Sequence, residues 1–320
     1  MENTPVLRSA LGTNFFRAVS PWLDSTAFHT NQLRHSHLGI SRSASPAEEF
    51  LYASRLRRHD RELQRSVADY LTTASMETLS HTDEESIPAA RRVELPDPAP
   101  ARMALDEAIA ARRSTRTFSG APVTLPETAA LLRAAGACFG HEAGRPHRAV
   151  PSGGGLYPVE LHLAAREVTD LEPGLYRYAP RLDCLDHHGG PRQLAALLRC
   201  GLDELPDLLP IDRAALVVLF VGRPWRSMRK YGPRGLRFVL HEVGAMAQHV
   251  HLTATALGLA GTDWSTYYDE EAHEVLRVDG LRTALLHLIV LGRPGGRPQP
   301  QEKNRPHPQE KNRPHPQEKM

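Results

Sequence analysis

The chain has 320 residues, with 39 Lys and Arg against 37 Asp and Glu, so its formal net charge is only +2. This balance provides no cationic excess that would indicate nucleic acid as a partner. Its three cysteines form no CxxC pair, which argues against a disulfide framework and a thiolate metal site. The N-terminus lacks a secretory signal pattern. The sequence also contains no run of about 18 apolar residues, which is the length needed to cross a membrane. We therefore expect a cytoplasmic protein without a membrane partner.

Residues 1–95 are expected to form an N-terminal accessory region. It contains a helical segment at about Ala47 to Leu71 and ends in the Pro-rich sequence LPDPAPAR, the best candidate for a domain boundary. The main domain is placed at residues 96–296. Residues 297–320 repeat an eight-residue unit of the type RPHPQEKN, whose few apolar side chains cannot offset the entropy of ordering. We expect a disordered tail there.

Two helices are expected before the first strand of the main domain. Apolar side chains recur at helical spacing from Met103 to Arg112, and Thr124-Leu-Pro-Glu127 has the form of a capping box that opens a second helix. The longest helical stripe runs from Phe238 to Gly258. Four segments are expected to be strands, the last two buried on both faces: Val159 to Ala165, Leu175 to Tyr178, Ala215 to Val221 and Ala284 to Leu291. This order is typical of an α+β or α/β fold.

The segment Arg112-Arg-Ser-Thr-Arg116, called here the basic segment, is the first candidate binding site. Guanidiniums and the Ser114 hydroxyl can converge on one phosphate, because the paired donors of Arg match phosphate oxygens. The alternative is a solvated basic end of a helix, where cations complement the helix dipole.

The second candidate is Pro151-Ser-Gly-Gly-Gly-Leu-Tyr-Pro158, called here the glycine loop. Three consecutive glycines allow the backbone to approach a flat ligand closely. The spacing differs from that of a P-loop or a Rossmann fingerprint, so a phosphate loop of those types is not expected. The alternative is an ordinary turn before the strand at Val159.

These segments, in this order, resemble the SagB-type peptide dehydrogenases of the FMN-dependent nitroreductase superfamily. The resemblance also rests on EPGLYRY from Glu172 to Tyr178, on KYGPRGLR from Lys230 to Arg237, and on the terminal Leu291-Gly-Arg293. It covers roughly residues 101–293. It implies an α+β fold of three layers, with a mainly antiparallel central sheet flanked by helices and a helical N-terminal accessory region.

The resemblance also implies a homodimer with FMN at the subunit interface. Four side chains would hold the ribityl chain and phosphate of FMN: Arg112, Ser114, Arg116 and Arg293. Three residues would pack on the flavin ring from the partner subunit: Pro151, Ser152 and Gly153. The segment from Gly261 to Tyr267 would pass the ring edge, where backbone amides can hydrogen-bond the flavin.

Lys230 and Tyr231 match the Lys-Tyr pair of that family, which the resemblance implies to be catalytic. Oxidation of an azoline removes a proton from the ring α-carbon and a hydride from the neighbouring carbon, so a base and a hydride acceptor must flank the ring. Burial disfavours an ammonium, and a nearby ammonium favours a phenolate, so either residue can be tuned toward the role of base. The alternative is that both residues only begin the long helix.

Seventeen histidines raise the question of a metal site. The closest groups are His35-Ser-His37, His187-His188 and His249-Val-His251. None has acidic or cysteine partners at a spacing that specifies metal ligands, so no metal is expected. On a helix, His249 and His251 would point to different faces and serve packing or solvation.

Three functions remain open from the residues and the resemblance. The leading one is an FMN-dependent azoline oxidase that acts on a ribosomally made peptide held by a partner cyclodehydratase. The second is an NAD(P)H-dependent nitro or quinone reductase, and the third is a non-catalytic flavin-binding subunit of a biosynthetic complex. The accessory region and the KYGPRG segment favour the first. Met246 and Thr266, which depart from the family pattern, keep the third open.

Overall fold

The structure, a computed structural model, describes residues 46–56, 65–68, 91–142, 145–201 and 211–296. Its strands are β1 (Arg92–Glu94), β2 (Val123–Thr124), β3 (Cys138–Glu142), β4 (Arg145–Arg148), β5 (Val159–Ala165), β6 (Val168–Thr169), β7 (Gly174–Ala179), β8 (Cys184–Gly189), β9 (Leu216–Gly222), β10 (Ala260–Asp263) and β11 (Ala284–Gly292). Its helices are α1 (Pro46–Ala53), α2 (Leu105–Ala111), α3 (Leu125–Gly136), α4 (Pro191–Leu198), α5 (Pro224–Tyr231), α6 (Gly235–Ala256) and α7 (Asp269–Leu276). Residues 65–68 are also helical.

Seven strands form one sheet in the order β1-β8-β7-β5-β9-β11-β10, and each neighbouring pair is antiparallel. Because successive side chains of a strand point to opposite faces, alternate residues of β9 enter different cores. The core with α3 and α6 contains Leu216, Val218 and Phe220. The core with α4 and α7 contains Val217, Leu219 and Val221. The expected three-layer α+β architecture is confirmed.

The capping box before α3 forms as the sequence predicts. The backbone N–H of Glu127 donates to Thr124 Oγ1 at 3.3 Å, and the backbone N–H of Thr124 donates to Glu127 Oε2 at 2.8 Å. This reciprocal arrangement satisfies two N–H groups that the first helical turn leaves unpaired. It fixes the start of α3 against the strands that follow.

Helix α6 begins at Gly235 and ends at Ala256, close to the expected bounds. The expected stripe is largely buried in the core beneath the sheet, through Val243, Met246, Ala247, Val250 and Ala254. The chain's own sheet therefore accounts for this stripe, which does not by itself require a partner subunit. On the opposite side of α6, Leu240 is exposed.

The helix expected from Met103 to Arg112 forms as α2, but much of its apolar stripe is uncovered. Ala108 is buried, whereas Leu105 is 66% and Ile109 is 56% exposed. These side chains contact too little of the described chain to be part of its core. They are available to another surface.

The N-terminal region is helical only in parts of its described residues. Helix α1 ends at Ala53, residues 54–56 are not helical, and 65–68 are helical again, so the segment expected near Ala47 to Leu71 is not one continuous helix. Strand β1 precedes the boundary predicted at residue 95 and pairs with β8. The boundary itself stays a prediction, and residues 297–320 lie outside the described part. None of the described helices combines the length and apolarity needed to cross a membrane.

Candidate active site

The register of β5 against β9 brings the glycine loop next to the Lys230-Tyr231 pair. Val159, at the start of β5, pairs with Gly222, at the end of β9. The backbone N–H of Arg223 donates to the carbonyl of Pro158 at 2.8 Å. Since the loop leads into β5 and α5 follows β9, these two candidate segments meet at one edge of the strands.

Glycine is required in the loop for two separate reasons. Gly154 and Gly155 have φ angles of 73° and 67°, in the left-handed region that side chains disfavour. A Cβ atom on Gly154 would also lie 2.5 Å from Tyr231 Oη and 3.3 Å from Lys230 Nζ. A Cβ on Gly155 would meet nothing within 4 Å. At Gly154, only the absence of a side chain lets the loop lie against the pair.

Lys230 and Tyr231 are held by packing at the end of α5 and do not begin α6. Lys230 is only 3% exposed, and its Nζ lies 5.4 Å from the centroid of the Tyr231 ring. That ring meets Phe238 edge to face, with centroids 4.9 Å apart. A Cβ on Gly153 would lie 3.0 Å from Phe238, so the loop packs on the same aromatic group. The pair is thus preorganised beside the loop.

A buried carboxyl group, that of Glu242, lies beside the loop and was not among the predicted site residues. Glu242 is only 2% exposed, and it accepts hydrogen bonds from the Ser152 side chain and from the backbone N–H of Val159. Its Oε2 has no hydrogen-bond partner among the described residues. The sequence did contain a signal, because an acid three residues after Val239 and four before Met246 falls on the buried stripe of α6.

Burial determines the protonation of Glu242. It raises the pKa of this carboxyl group to about 7, because a carboxylate loses its hydration there. The hydrogen bond from Ser152 and the charges of Arg148 and Arg226 act in the opposite direction. The group therefore changes its charge near neutral pH while it contacts the loop.

The basic segment runs beside β10, which brings Ser114 next to Gly261. The backbone N–H of Thr115 donates to the carbonyl of Gly261 at 2.9 Å, and Ser114 forms a parallel bridge with Gly261. Arg112 ends α2, where its N–H donates to the carbonyl of Ala108. The segment is therefore anchored at both ends.

The residues after β11 pair with the stretch that follows the basic segment, but the Arg293 side chain is directed elsewhere. The backbone N–H of Ser119 donates to the carbonyl of Arg293 at 3.0 Å. The guanidinium of Arg293 instead donates to Glu127 Oε2 at 2.7 Å and to the carbonyl of Pro122 at 3.2 Å. Arg293 is therefore near the expected phosphate site and is already paired with an acid.

Arg112 and Arg116 differ from Arg293 in this respect. Their guanidiniums form no ion pair or hydrogen bond with any residue that the structure describes. Ser114 and Arg116 are exposed, and Arg112 is half-buried. Between them, Arg113 donates to the carbonyls of Ala110 and Arg112. Two cations and one hydroxyl are thus available to an anion.

The two clusters lie toward opposite ends of α6. The glycine loop contacts α6 at Phe238 and Glu242, whereas a Cβ on Gly261 would lie 3.8 Å from His251 Nδ1. The separation of nine positions between Glu242 and His251 corresponds to about 14 Å along a helix axis. Pro151, Ser152 and Gly153 are therefore associated with the Lys-Tyr pair, and the basic segment forms a separate group.

Asp263, just after Gly261, holds two histidines. Its Oδ1 accepts from His251 Nε2 at 2.9 Å and from His287 Nε2 at 2.8 Å. These bonds hold the pKa of Asp263 well below its usual range. His249 instead contacts the carbonyl of Ala134 through Nδ1 at 2.8 Å. The two helix histidines therefore have different partners.

No group of three or more His, Cys, Asp or Glu suited to a metal ion occurs within the described ranges. His188 Nε2 lies 3.2 Å from His162 Nδ1, and the carbonyl of His187 accepts a hydrogen bond from Arg91. His35 and His37 lie outside the described residues. The expectation of no metal therefore stays a prediction for the whole chain.

Both the sequence and the fold of the chain are similar to those of known proteins. Residues 109–293 match the Nitroreductase family. MJ1384 of Methanocaldococcus jannaschii, described as a nitroreductase, is 34% identical over 178 residues, which is 54% of this chain and 84% of MJ1384. The microcin B17-processing protein McbC of Escherichia coli is 29% identical over 144 residues, which is 43% of this chain and 51% of McbC.

Two solved structures share the fold. A nitroreductase of Ralstonia eutropha JMP134 matches with a TM-score of 0.52 and 23% identity, over 64% of this chain and 90% of its own. A chain of the E. coli microcin synthetase McbBCD complex, with truncated pro-MccB17 bound, matches with a TM-score of 0.50 and 19% identity, over 80% of this chain and 100% of its own. From the family match and the identity to MJ1384, this chain belongs to the Nitroreductase family.

Proposed function

We propose that this protein is an FMN-dependent oxidoreductase that oxidises azolines to azoles in a ribosomally made peptide. The observation that carries the proposal is the contact between the Lys230-Tyr231 pair and the glycine loop, where a Cβ on Gly154 would lie 2.5 Å from Tyr231 Oη. Two side chains capable of proton transfer thus lie against a loop suited to a flat ring, which supports the proposal. The similarity to McbC supports the same class of substrate.

The basic segment fits the phosphate and ribityl groups of FMN, and members of this family generally use that cofactor. Arg112 and Arg116 have no described acidic partner, and Ser114 presents a hydroxyl between them. Charge-assisted bonds from paired guanidinium donors are the usual way to bind phosphate. Arg293 would join them only by sharing its guanidinium with Glu127. When bound, FMN supplies the acceptor for the hydride that leaves the azoline.

A homodimer would place the partner's glycine loop over the flavin. Support comes from large apolar side chains that the described residues leave exposed, Leu105 and Ile109 on α2 and Leu240 on α6. These two helices pack against each other within the chain. Apolar groups on adjacent helices favour burial against a second copy.

Residues of this chain would accept the proton that leaves the azoline. Lys230 and Tyr231 are within reach of a ring held against the glycine loop. Either could accept the proton from the α-carbon of that ring, Lys230 as the neutral amine or Tyr231 as the phenolate. Ser152 and Glu242 hold the loop from behind through their hydrogen bond. The burial of Lys230 limits access of water to this wall of the site.

The accessory region supports a peptide substrate. The Ser66 hydroxyl donates to the carbonyl of Lys230 at 3.2 Å, and the Arg234 guanidinium donates to the carbonyl of Ser54 at 3.2 Å. The accessory region thus contacts the KYGPRG segment beside the proposed catalytic pair. A cyclodehydratase is the expected partner that presents the peptide, as the matched synthetase chain belongs to a complex with a bound pro-peptide.

A second candidate is an NAD(P)H-dependent nitro or quinone reductase. The identity of 34% to MJ1384, which is described as a nitroreductase, favours it. Both candidates use the same flavin site, and they differ in the substrate that meets the Lys-Tyr pair.

The test compares two substrates with one preparation of the FMN-loaded protein. With an azoline peptide, we expect formation of the azole, scored by the loss of two hydrogens in the peptide mass. Rapid reduction of a nitroarene by NAD(P)H, with the azoline unchanged, would replace the proposal with the reductase. If neither substrate reacts although FMN is bound, a non-catalytic flavin-binding subunit becomes the better description.

A further inference from the structure

A cavity of about 310 Å³ lies between the accessory region and the turn that joins α5 to α6. Its walls include Ser54, Arg55, Ser66, Arg229, Tyr231 and Arg234. Binding pockets for small groups commonly have volumes of about 300 Å³ or more. The cavity is separate from the basic segment, which lies beside β10.

The wall of the cavity carries an uncompensated positive charge. Three arginines line it, and none of its lining residues is acidic. Arg55 and Arg229 form no ion pair with any described residue. Arg223 and Arg226, which pair with Glu160, do not line the cavity, so they do not compensate or add to its charge. Such a wall favours an anionic occupant.

Two arginines, Arg234 and Arg237, hold the wall together, and two others, Arg55 and Arg229, remain for a ligand. Arg234 donates to the carbonyl of Ser54 at 3.2 Å, and Arg237 donates to Ser54 Oγ at 2.8 Å. Arg55 lies over the Tyr52 ring, 5.3 Å from its centroid, and Arg229 is exposed. Arg55 and Arg229 can therefore turn toward a bound anion without breaking a described contact between the accessory region and α5.

Tyr231 links this cavity to the proposed reaction site. It lines the cavity, and its hydroxyl also approaches Gly154 of the glycine loop. A group bound between Arg55 and Arg229 would therefore lie on one side of the phenol, with the glycine loop on the other. Roughly two or three residues of extended peptide span a cavity of this size.

We propose that this cavity binds a carboxylate of the peptide substrate and so sets which azoline reaches Tyr231. The carboxylate belongs to an Asp or Glu side chain, or to the C-terminus, within roughly three residues of the ring. Guanidiniums match a carboxylate with paired donors, which makes Arg55 and Arg229 the selective contacts. The inference rests on the proposed peptide substrate.

The test measures binding of peptides that already contain the azole, so that no turnover occurs. Pairs of such peptides differ only in Glu or Gln at each of the three positions on either side of the ring, and calorimetry gives the affinity. We expect wild type to bind one Glu peptide about ten-fold more tightly than its Gln counterpart. The double variant R55Q/R229Q should lose this preference, and each single variant should lose part of it.

The matched control is Arg192→Gln, which changes an exposed arginine on α4, away from the cavity, and should keep the preference. Flavin content and melting temperature report whether the variants fold, and the single variants serve if the double variant does not. Equal binding of Glu and Gln peptides by wild type overturns the inference, as does a preference that survives in R55Q/R229Q.

Two further readouts separate the alternatives. If the substitutions raise the KM for NADPH but not for NADH, the cavity binds a dinucleotide phosphate and the peptide assignment is overturned. The proposed function is tested by azoline turnover, whereas the cavity is tested by binding of the oxidised peptide. A wild type that prefers the Glu peptide but leaves azolines unchanged would therefore contradict the proposed function and leave the cavity assigned.

Discussion

The two ends of α6 support different kinds of site. At its N-terminal end, Lys230 and Glu242 are buried, and the glycine loop packs on Phe238. Near its C-terminal end, the basic segment is anchored by its backbone, while the guanidiniums of Arg112 and Arg116 have no partner among the described residues. Groups that would act on a proton are thus positioned by the core. Groups that would bind a charged cofactor are positioned only by hydrogen bonds of the backbone, and their side chains are accessible to a ligand.

The largest expected effect is a loss of azole formation without a loss of FMN. It would show that the two ends of α6 have different roles. Lys230→Ala and Tyr231→Phe should each lower the rate of azole formation by about 10²–10⁴-fold, because loss of a general base raises only the barrier of the chemical step. Affinity for FMN should change little, since the basic segment is untouched. Rates come from peptide mass spectra and FMN affinity from a fluorescence titration. Tyr268→Phe, at an exposed tyrosine, is the control, and loss of flavin from either variant would contradict the separation of roles.

Glu242→Gln should change how stability depends on pH. The pKa of Glu242 rises from 4.5 to about 7 on folding, so the unfolded chain ionises first and stability falls as pH rises from about 4.5 to 7. The full loss above pH 7 is up to about 3 kcal/mol, which the uncharged Gln avoids. Urea unfolding at pH 5 and pH 8 measures the difference.

In that experiment, the variant should be more stable than wild type at pH 8 and closer to it at pH 5. Glu270→Gln, at an exposed acid on α7, should reproduce the wild-type dependence on pH. If Glu242→Gln also follows the wild-type curve, the carboxyl group is ionised in the folded protein at neutral pH, and our account of its burial is wrong.

At the other end, Arg112→Ala should lower the affinity for FMN by about ten-fold or more. A charge-assisted bond contributes about 1.5–3 kcal/mol, and no described residue competes for this guanidinium. Arg113→Ala is the matched control, because that side chain donates to backbone carbonyls of its own helix end. Equal affinities of the Arg112 and Arg113 variants in a flavin fluorescence titration would remove Arg112 from the site.

The smallest expected effect is a difference between two adjacent glycines. Gly154→Ala and Gly155→Ala both force a side chain into a positive φ, but only Ala at 154 would meet Tyr231 and Lys230. Overpacking of this kind costs about 1–3 kcal/mol, so Gly154→Ala should be less stable than Gly155→Ala by about that amount. Thermal unfolding of both variants gives the comparison. Equal stability would mean that the loop can move away from the pair.

Much of the fold could be predicted from local patterns, because periodicity and capping depend on neighbouring residues. Strand β5 has the expected bounds, and the Thr124 capping box forms as its residue types predict. Strands β1 and β10 have only three and four residues, too few for a periodic signal. Their pairing depends on partners that are distant in the sequence.

The sequence predicted the segments of the candidate site one by one. Their arrangement in space depends on the register of the sheet. Residue types alone do not reveal that Gly154 lies against Tyr231, because this contact follows from the pairing of Val159 with Gly222. The pairing of Arg293 with Glu127 was missed for the same reason, since each residue has another expected role. Binding of FMN by the expected ligand residues stays a prediction.

Strand β1 closes one edge of the seven-stranded sheet with only three residues, from Arg92 to Glu94. A protein that begins at residue 96 would lack this strand and leave the outer backbone groups of β8 without partners. Open strand edges join other chains, which promotes aggregation. A cut at the predicted boundary should therefore yield a protein that self-associates as it is concentrated. A cut just before Arg91 would keep the edge covered and the shortened protein dispersed.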